Sequence, residues 1–536
     1  MLPVYTKRMR FSQYCLSLVA VACIAFGLSS CNKSTAPAGT LLLNASAEPS
    51  YLNPILSTDA ASSSINGFVF SGLLRINSDL EFVPDLAESY HVNDTNTVYT
   101  FKLRKGVSWH DGAPFTAEDV AFTFEKILDP NTNTVRRGSY IIDGSPIKVR
   151  VLDSHRVQIT LPKPFAPFLA SMGMGIIPKH LFENEDINRT DLNRNPVGTG
   201  PFIFEEWATS QYVKLRKNPD FYRGTPKLEK VLLKIIPDER TALIALEKEE
   251  LDMASIPYKD VPKFKKDKSI RVYQYEDLLY TYMGFNLKHP FFRSLDVREA
   301  IAHAINKPAM IQGILKGFGS VANMPVSPVS WAYPNPAFPG LDYDPEKSKE
   351  LLAKAGFTLN PDTQILEKDG KPFSFTLLTN QGNKDREKAA QLIQRYLKNV
   401  GIDMKIQLME WSSFIKIING PEDPKPFDAV ILGWSLGIDP DGYSLWHSSQ
   451  YPNGFNFVGY SNPLVDKRVV EGRLTLDTQK RAEIYKDLYT QIAKDLPYVF
   501  LFYPEVVTGV TQRIQGLSDP GPAGLMNPIE AVYIQD

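Results

Sequence analysis

Apolar and polar positions alternate from Tyr99 to Leu103, with Tyr99, Phe101 and Leu103 separated by Thr100 and Lys102, and this predicts a half-buried strand. Turns at Lys105-Gly106 and Asp111-Gly112 follow it. The period then lengthens. Thr116-Ala117-Glu118-Asp119 has capping-box spacing, and Val120, Phe124, Ile127 and Leu128 keep to one face, which predicts a helix. Val149 and Val151, then Val157, Ile159 and Leu161, flank a turn at Asp153-Ser154 and predict a hairpin, so this region reads as α+β. Asp296 and Glu299 stand at capping spacing ahead of Val297, Ala300, Ile301, Ala304 and Ile305, which predicts a core helix over 296–315.

From Phe373 onward strands and helices alternate. A strand at 373–378 leads to a helix at 384–400 stopped by Gly401. A strand from Ile402 to Leu408, a short helix at 411–419 and a strand at 428–434 complete a βαβαβ run. Such a run builds an open α/β sheet, and these sheets bind ligands beyond the carboxyl ends of their strands. The loops there are Asn380 to Lys384 and Ser435 to Asp441. A helix over 477–495 precedes Pro497 and an apolar strand, Val499 to Tyr503, expected to return to the first sheet. Two crossings, near 270–285 and near 495, then make a hinge.

The amino terminus has a different pattern. Lys7, Arg8 and Arg10 precede an apolar run from Phe11 to Leu28, ending in Leu28-Ser29-Ser30-Cys31, which reads as an export signal. Leu-Ser-Ser-Cys resembles the bacterial lipobox, which implies cleavage before Cys31, lipidation of that residue and tethering to a membrane. Residues 32–40 supply a flexible tether. Cys15 and Cys23 lie within the signal, so the mature chain has no disulfide and relies on its cores. Past the signal, 56 basic side chains face 60 acidic ones, which does not point to nucleic acid. No second apolar stretch is long enough to span a bilayer.

The chain carries no Gly-x-Ser-x-Gly elbow, Walker loop or His-Glu-x-x-His motif. Gly173-Met174-Gly175 begins like a dinucleotide loop, but Pro178 stands where a glycine is needed. The histidines, at 91, 110, 155, 180, 289, 303 and 447, lack metal-ligand spacing. His110 and His303 are expected to be structural. No catalytic residue, cofactor or metal is expected. The aromatic residues available to line a cleft are Trp207, Tyr280, Tyr282, Trp411, Trp434, Tyr443 and Trp446. Trp434 is favoured because it ends a strand of the α/β run.

Several blocks in fixed order complete the picture. They are Gly72-Leu73-Leu74, Pro84 to Ser89, Tyr99 to Gly106, Trp109 to Gly112, Phe115 to Val120, Pro196 to Phe202, Asn218 to Tyr222, and Phe285-Asn286 leading into Asp296 to Ala300. On these the chain resembles the dipeptide and oligopeptide-binding family of ABC transporter solute-binding proteins. The resemblance implies an α/β fold of the two-lobed periplasmic-binding-protein type (type II), with an extra α+β subdomain in the first lobe. The expected division is a signal peptide at 1–31, a tether at 32–40 and lobe I at 41–75, 196–275 and 496–536. The subdomain covers 76–195 and lobe II 276–495.

The resemblance also implies a peptide ligand held extended in the cleft, permease subunits with a cytoplasmic ATPase as partners, and a lipid-anchored, extracytoplasmic monomer. Glu48 to Tyr51, with Glu48, Ser50 and Tyr51 as candidates, corresponds to the first-lobe edge that pairs with peptide, and Trp434, Ser435 and Leu436 to the second-lobe edge. Tyr282, Asn380 and Gln381 join them as candidates. The sequence departs from the family pattern at Gly437, where peptide receptors have an aspartate that anchors the ligand's ammonium. Asp439 is the candidate replacement, although Asp439-Pro440-Asp441-Gly442 is also an ordinary turn. The competing expectations are a non-peptide solute (nickel chelate, haem, opine or sugar), an exported hydrolase and a chaperone.

Overall fold

The computed structural model describes residues 38–535, so the export signal and Cys31 lie outside the described residues. The predicted strand and hairpin of the α+β region form a four-stranded antiparallel sheet of Ala87–Val92, Val98–Leu103, Arg156–Thr160 and Lys148–Asp153. Against it packs the helix Ala117–Leu128, closed by the predicted capping box: the Thr116 side chain accepts at the helix start and Asp119 accepts from the Thr116 N–H.

The main sheet runs in the order Phe202–Ala208, Tyr212–Lys217, Lys230–Ile235, Thr40–Ala45, Met253–Ser255, Tyr498–Thr511, Leu279–Phe285, Ala429–Ser435, Ser374–Asn380 and Asp403–Met409. Its second half carries the βαβαβ pattern. Ser374–Asn380 lies parallel to both Asp403–Met409 and Ala429–Ser435. Alternate residues serve two different cores, because successive side chains point to opposite faces. Met283, Phe285, Leu377 and Ile431 enter one, and Tyr280, Tyr282, Leu378 and Leu432 the other. Burial on both faces explains why these strands read as nearly continuous apolar runs.

One strand joins the two halves. Residues 505–511 of Tyr498–Thr511 pair with Ile270–Glu276, while residues 498–502 pair with Leu279–Phe285. One passage between lobes thus lies at 277–279, and the other lies inside the long strand, near 502–505.

The predicted helix over 296–315 is broken. Leu295–Ala304 is helical, Lys307–Met310 restarts the helix, and Ile311–Leu315 is a π-turn. Pro308 has no N–H to continue the ladder, and the Asn306 side chain accepts from Ala309 N–H at 2.9 Å, so the second piece begins with its own cap. Asp296 does not cap the first piece. Ser294 stands at the cap position, and Asp296 pairs with Lys354 at 3.0 Å.

Candidate functional site

A cleft of about 710 Å³ lies between the lobes. From the first lobe it is lined by Thr58, Asp59 and Ala60 at the start of helix Ala60–Val69, by Arg136 and Glu239, and by Ser255 to Tyr258. From the second it is lined by Tyr280, Asp385, Arg386, Trp411 and the strand end Gly433 to Ser435. The lobes also meet directly. Asn419 donates from Nδ2 to Thr58 Oγ1 at 3.0 Å, and Arg473 donates to Gly138 O at 3.0 Å. At Gly382, with φ +94°, an added Cβ would come within 2.7 Å of Pro237 O, so only glycine permits that approach.

The backbone at the strand end is available to a ligand. Leu436 N–H donates to Leu278 O at 2.7 Å, and the register pairs Leu279 with Ser435 and Thr281 with Gly433. Since hydrogen-bonded and non-hydrogen-bonded pairs alternate in an antiparallel ladder, Gly433 and Ser435 turn their N–H and C=O groups away from Leu279–Phe285. On that other side the ladder with Ser374–Asn380 ends at Leu378 and Val430. Among the described residues, no strand pairs with this edge beyond that point. Trp434 stands beside it, edge-to-face with Phe455 at 5.3 Å.

The remaining candidates are placed unevenly. Tyr282 is fully buried, stacked on Tyr498 at 3.9 Å, and lies behind the cleft wall. Asn380 is buried and accepts from Arg386 Nη1 at 2.9 Å, which orients a guanidinium that does line the cleft. Gln381 is exposed, with its N–H bonded to Met409 O. Glu48, Ser50 and Tyr51 are not among the lining residues. Glu48 accepts from Trp207 Nε1 and Ser210 N–H, both at 2.8 Å. Ser50 donates to Asp59, and the N–H groups of Ser50 and Tyr51 both go to Ser62 Oγ. This network lies behind Thr58, Asp59, Ala60, Ser63 and Ser64, which form that part of the first-lobe wall.

Asp439, the candidate ammonium anchor, is likewise engaged within the protein. Both its oxygens accept from Arg481 at 2.9 Å, in a pair whose side chains are 12% and 6% exposed. Asp441 pairs with Arg473 at 3.1 Å. Leu436, whose N–H goes to Leu278 O, and Gly437 lie past the end of strand Ala429–Ser435 and are not among the lining residues; Gly437 has open space around it, its nearest neighbour being Asp439 O at 3.6 Å from an added Cβ. Glycine at 437 is thus a chemical difference, not a steric necessity.

Sequence reasoning missed Arg136, Glu239, Asp385 and Arg386. Among the described residues the Glu239 carboxylate has no hydrogen bond or ion pair, and burial, helped by the like charge of Asp385, pushes it up to about 7. Burial also raises Asp385, whose nearest cation is Lys388 at 3.7 Å. The clue in the sequence was Asn383-Lys384-Asp385-Arg386, an N-cap opening a helix at a strand's carboxyl end. His110 is structural: it accepts at Nδ1 from Gly198 N–H and donates from Nε2 to Gly200 O, and burial lowers it to about 4. Among the described residues no helix is long and apolar enough to cross a membrane.

The comparisons with known proteins fit this geometry. The family model for bacterial extracellular solute-binding proteins, family 5, matches residues 81–456. The chain is 36% identical over 485 residues to the oligopeptide-binding protein AppA of Bacillus subtilis, covering 89% of this chain and 88% of that one. The structure of AppA in complex with a nonapeptide superposes with a TM-score of 0.88 at 34% identity, over 93% of this chain and 99% of that one. NikZ from Campylobacter jejuni, in complex with Ni(L-His), gives a TM-score of 0.84 at 30% identity, over 93% and 100% of the two chains. Heme-binding protein A of Haemophilus influenzae is 29% identical over 534 residues, 93% of this chain and 94% of that one. With a cleft between two lobes and a family model spanning most of its length, the chain belongs to the bacterial extracellular solute-binding proteins, family 5.

Proposed function

We propose that the chain is a peptide receptor of an ABC importer. It captures peptides in the interlobe cleft and delivers them to permease subunits driven by a cytoplasmic ATPase. The observation that carries this reading is the free backbone edge at Gly433 and Ser435, which offers N–H and C=O groups to an extended chain whatever its side chains are. Each such bond contributes about 0.5–1.5 kcal/mol net, so several give useful affinity without selecting one sequence. The likeness to AppA, solved with a nonapeptide, supports the same reading.

In this proposal Gly433, Trp434 and Ser435 form the second-lobe wall of the peptide site, with Arg386 held in place by Asn380. Glu48, Ser50 and Tyr51 support the first-lobe wall from behind. The protein is a receptor and not an enzyme, which agrees with relatives that are solute-binding proteins. It acts as a monomer, exported by its signal and held to a bacterial membrane through lipidated Cys31, as Leu28 to Cys31 suggests.

A second reading, capture of a metal chelate or haem, is favoured by the likeness to NikZ and to Heme-binding protein A. Thermal unfolding with added ligand separates the two. A ligand at a hundred times its Kd stabilises by about 2.7 kcal/mol. Mixed peptides of about three to nine residues are expected to raise the Tm, and nickel with histidine, or haem, to leave it unchanged. The opposite pattern would replace the peptide reading with the second.

A further inference from the structure

The cleft has an annex. A chamber of about 370 Å³ lies in the first lobe between helix Ala60–Val69 and the segments 136–140 and 170–175. Ser63 and Arg136 line both the chamber and the main cleft, so the two meet at these residues. The chamber's other polar groups include Ser57, Asn66 and Ser139.

Arg136 and Arg137 are neighbours with opposite employment. Arg137 gives its donors to Ile127 O, Asp129 O and Thr132 O, closing the end of helix Ala117–Leu128. Among the described residues the Arg136 guanidinium makes one hydrogen bond, from Nη2 to Ser57 O at 3.0 Å. Among the described residues its buried Nε has no acceptor, and no carboxylate lies within ion-pair distance of it. Asn66, 6% exposed, is linked to the same residue through Nδ2 to Ser57 Oγ, and its Oδ1 is buried without a donor. Arg136 is half-buried and lines the cleft, so its charge, which no carboxylate among the described residues pairs with, is open to an anionic group of a ligand. Arginine does not lose its proton, and its planar fork matches a carboxylate.

We propose that Arg136, at the neck between cleft and annex, binds a carboxylate of the peptide. The inference rests on the peptide reading above. The carboxylate is either the peptide's C-terminus or an acidic side chain, and both present the same two-oxygen face to the guanidinium.

The test uses alanine-based nonapeptides with one glutamate, or glutamine in its place, moved through each position, each with a free or an amidated C-terminus. Titration calorimetry with the wild-type protein is expected to show about a tenfold or greater loss of affinity for one of the two changes, since charged hydrogen bonds are the strong ones. Loss on amidation assigns the C-terminus, and loss on glutamate-to-glutamine at one position assigns a side chain. Arg136→Gln should erase that difference. Asn66→Asp, which adds a competing carboxylate to the annex, should weaken the acid peptide selectively and keeps the test decisive if Arg136→Gln does not fold. Wild type that binds every peptide equally, or variants that keep the preference, would overturn the proposal while leaving peptide capture in place. Wild type that binds none of the peptides would remove the peptide reading, and this proposal with it.

Discussion

Asp439 and Asp441, on the turn after Trp434, each meet a buried arginine, whereas Glu239 and Asp385 line the cleft with no comparable partner. The residue types are the same and the surroundings decide their use. Arg481 holds both oxygens of Asp439, and Arg473, paired with Asp441, also reaches across to Gly138 O and lies over the Phe165 ring at 4.6 Å. The turn is therefore structural, and through Asp441 it holds the arginine that bonds across to the first lobe. The Glu239 carboxylate faces a cavity and, among the described residues, has no hydrogen bond or ion pair, with Lys388 and Arg386 only partly offsetting its burial, and such perturbed groups cluster at functional sites.

The largest expected effect comes from the paired side. Asp439→Asn leaves the buried Arg481 uncompensated and is expected to cost about 3–5 kcal/mol in urea unfolding. Its peptide affinity should stay within about twofold of wild type, whereas the loss of an ammonium anchor would cost more than tenfold. On the cleft side, Trp434→Ala is expected to weaken peptide binding by about 2 kcal/mol, roughly thirtyfold, in titration calorimetry, with a smaller effect on stability.

Glu239 gives a weaker, pH-dependent signal. Its value in the folded protein, about 7, lies above the ordinary 4.5, so the folded state holds the proton more tightly than the unfolded one. That contribution to stability is complete below 4.5 and is lost as pH rises toward 7. The Tm of wild type should therefore fall relative to that of Glu239→Gln across this range, so the two pH profiles should have different slopes. An unchanged slope in the variant would show that Glu239 does not titrate this way. The smallest effect is expected at the exposed pair Lys349–Glu346, where Lys349→Ala should change stability by less than about 0.5 kcal/mol.

The sequence was most readable where one element carries its own signal. The capping box at Thr116, the alternation through Tyr99 to Leu103 and the βαβαβ run all depend on neighbours in the chain, and Trp434 at a strand end followed from them. The helix over 296–315 misled because its apolar stripe continues across Asn306 and Pro308, where backbone chemistry overrides periodicity. Asp439 read as a candidate ammonium anchor or an ordinary turn residue because Arg473 and Arg481, which take up the acids at 441 and 439, lie more than thirty residues onward, on other helices. Arg136 was hidden for the same reason. It stands in a 3₁₀ turn, and what distinguishes it from Arg137 is its relation to Ser57 and Asn66, which no local pattern reports.

If the cleft captures peptides, the protein should carry them when it is taken from the cell. Native mass spectrometry of residues 32–536, expressed without the signal and purified gently, followed by denaturation, identifies the released ligand. A mixture of short peptides of varied sequence is expected. A single non-peptide mass, a haem or a metal chelate would contradict peptide capture.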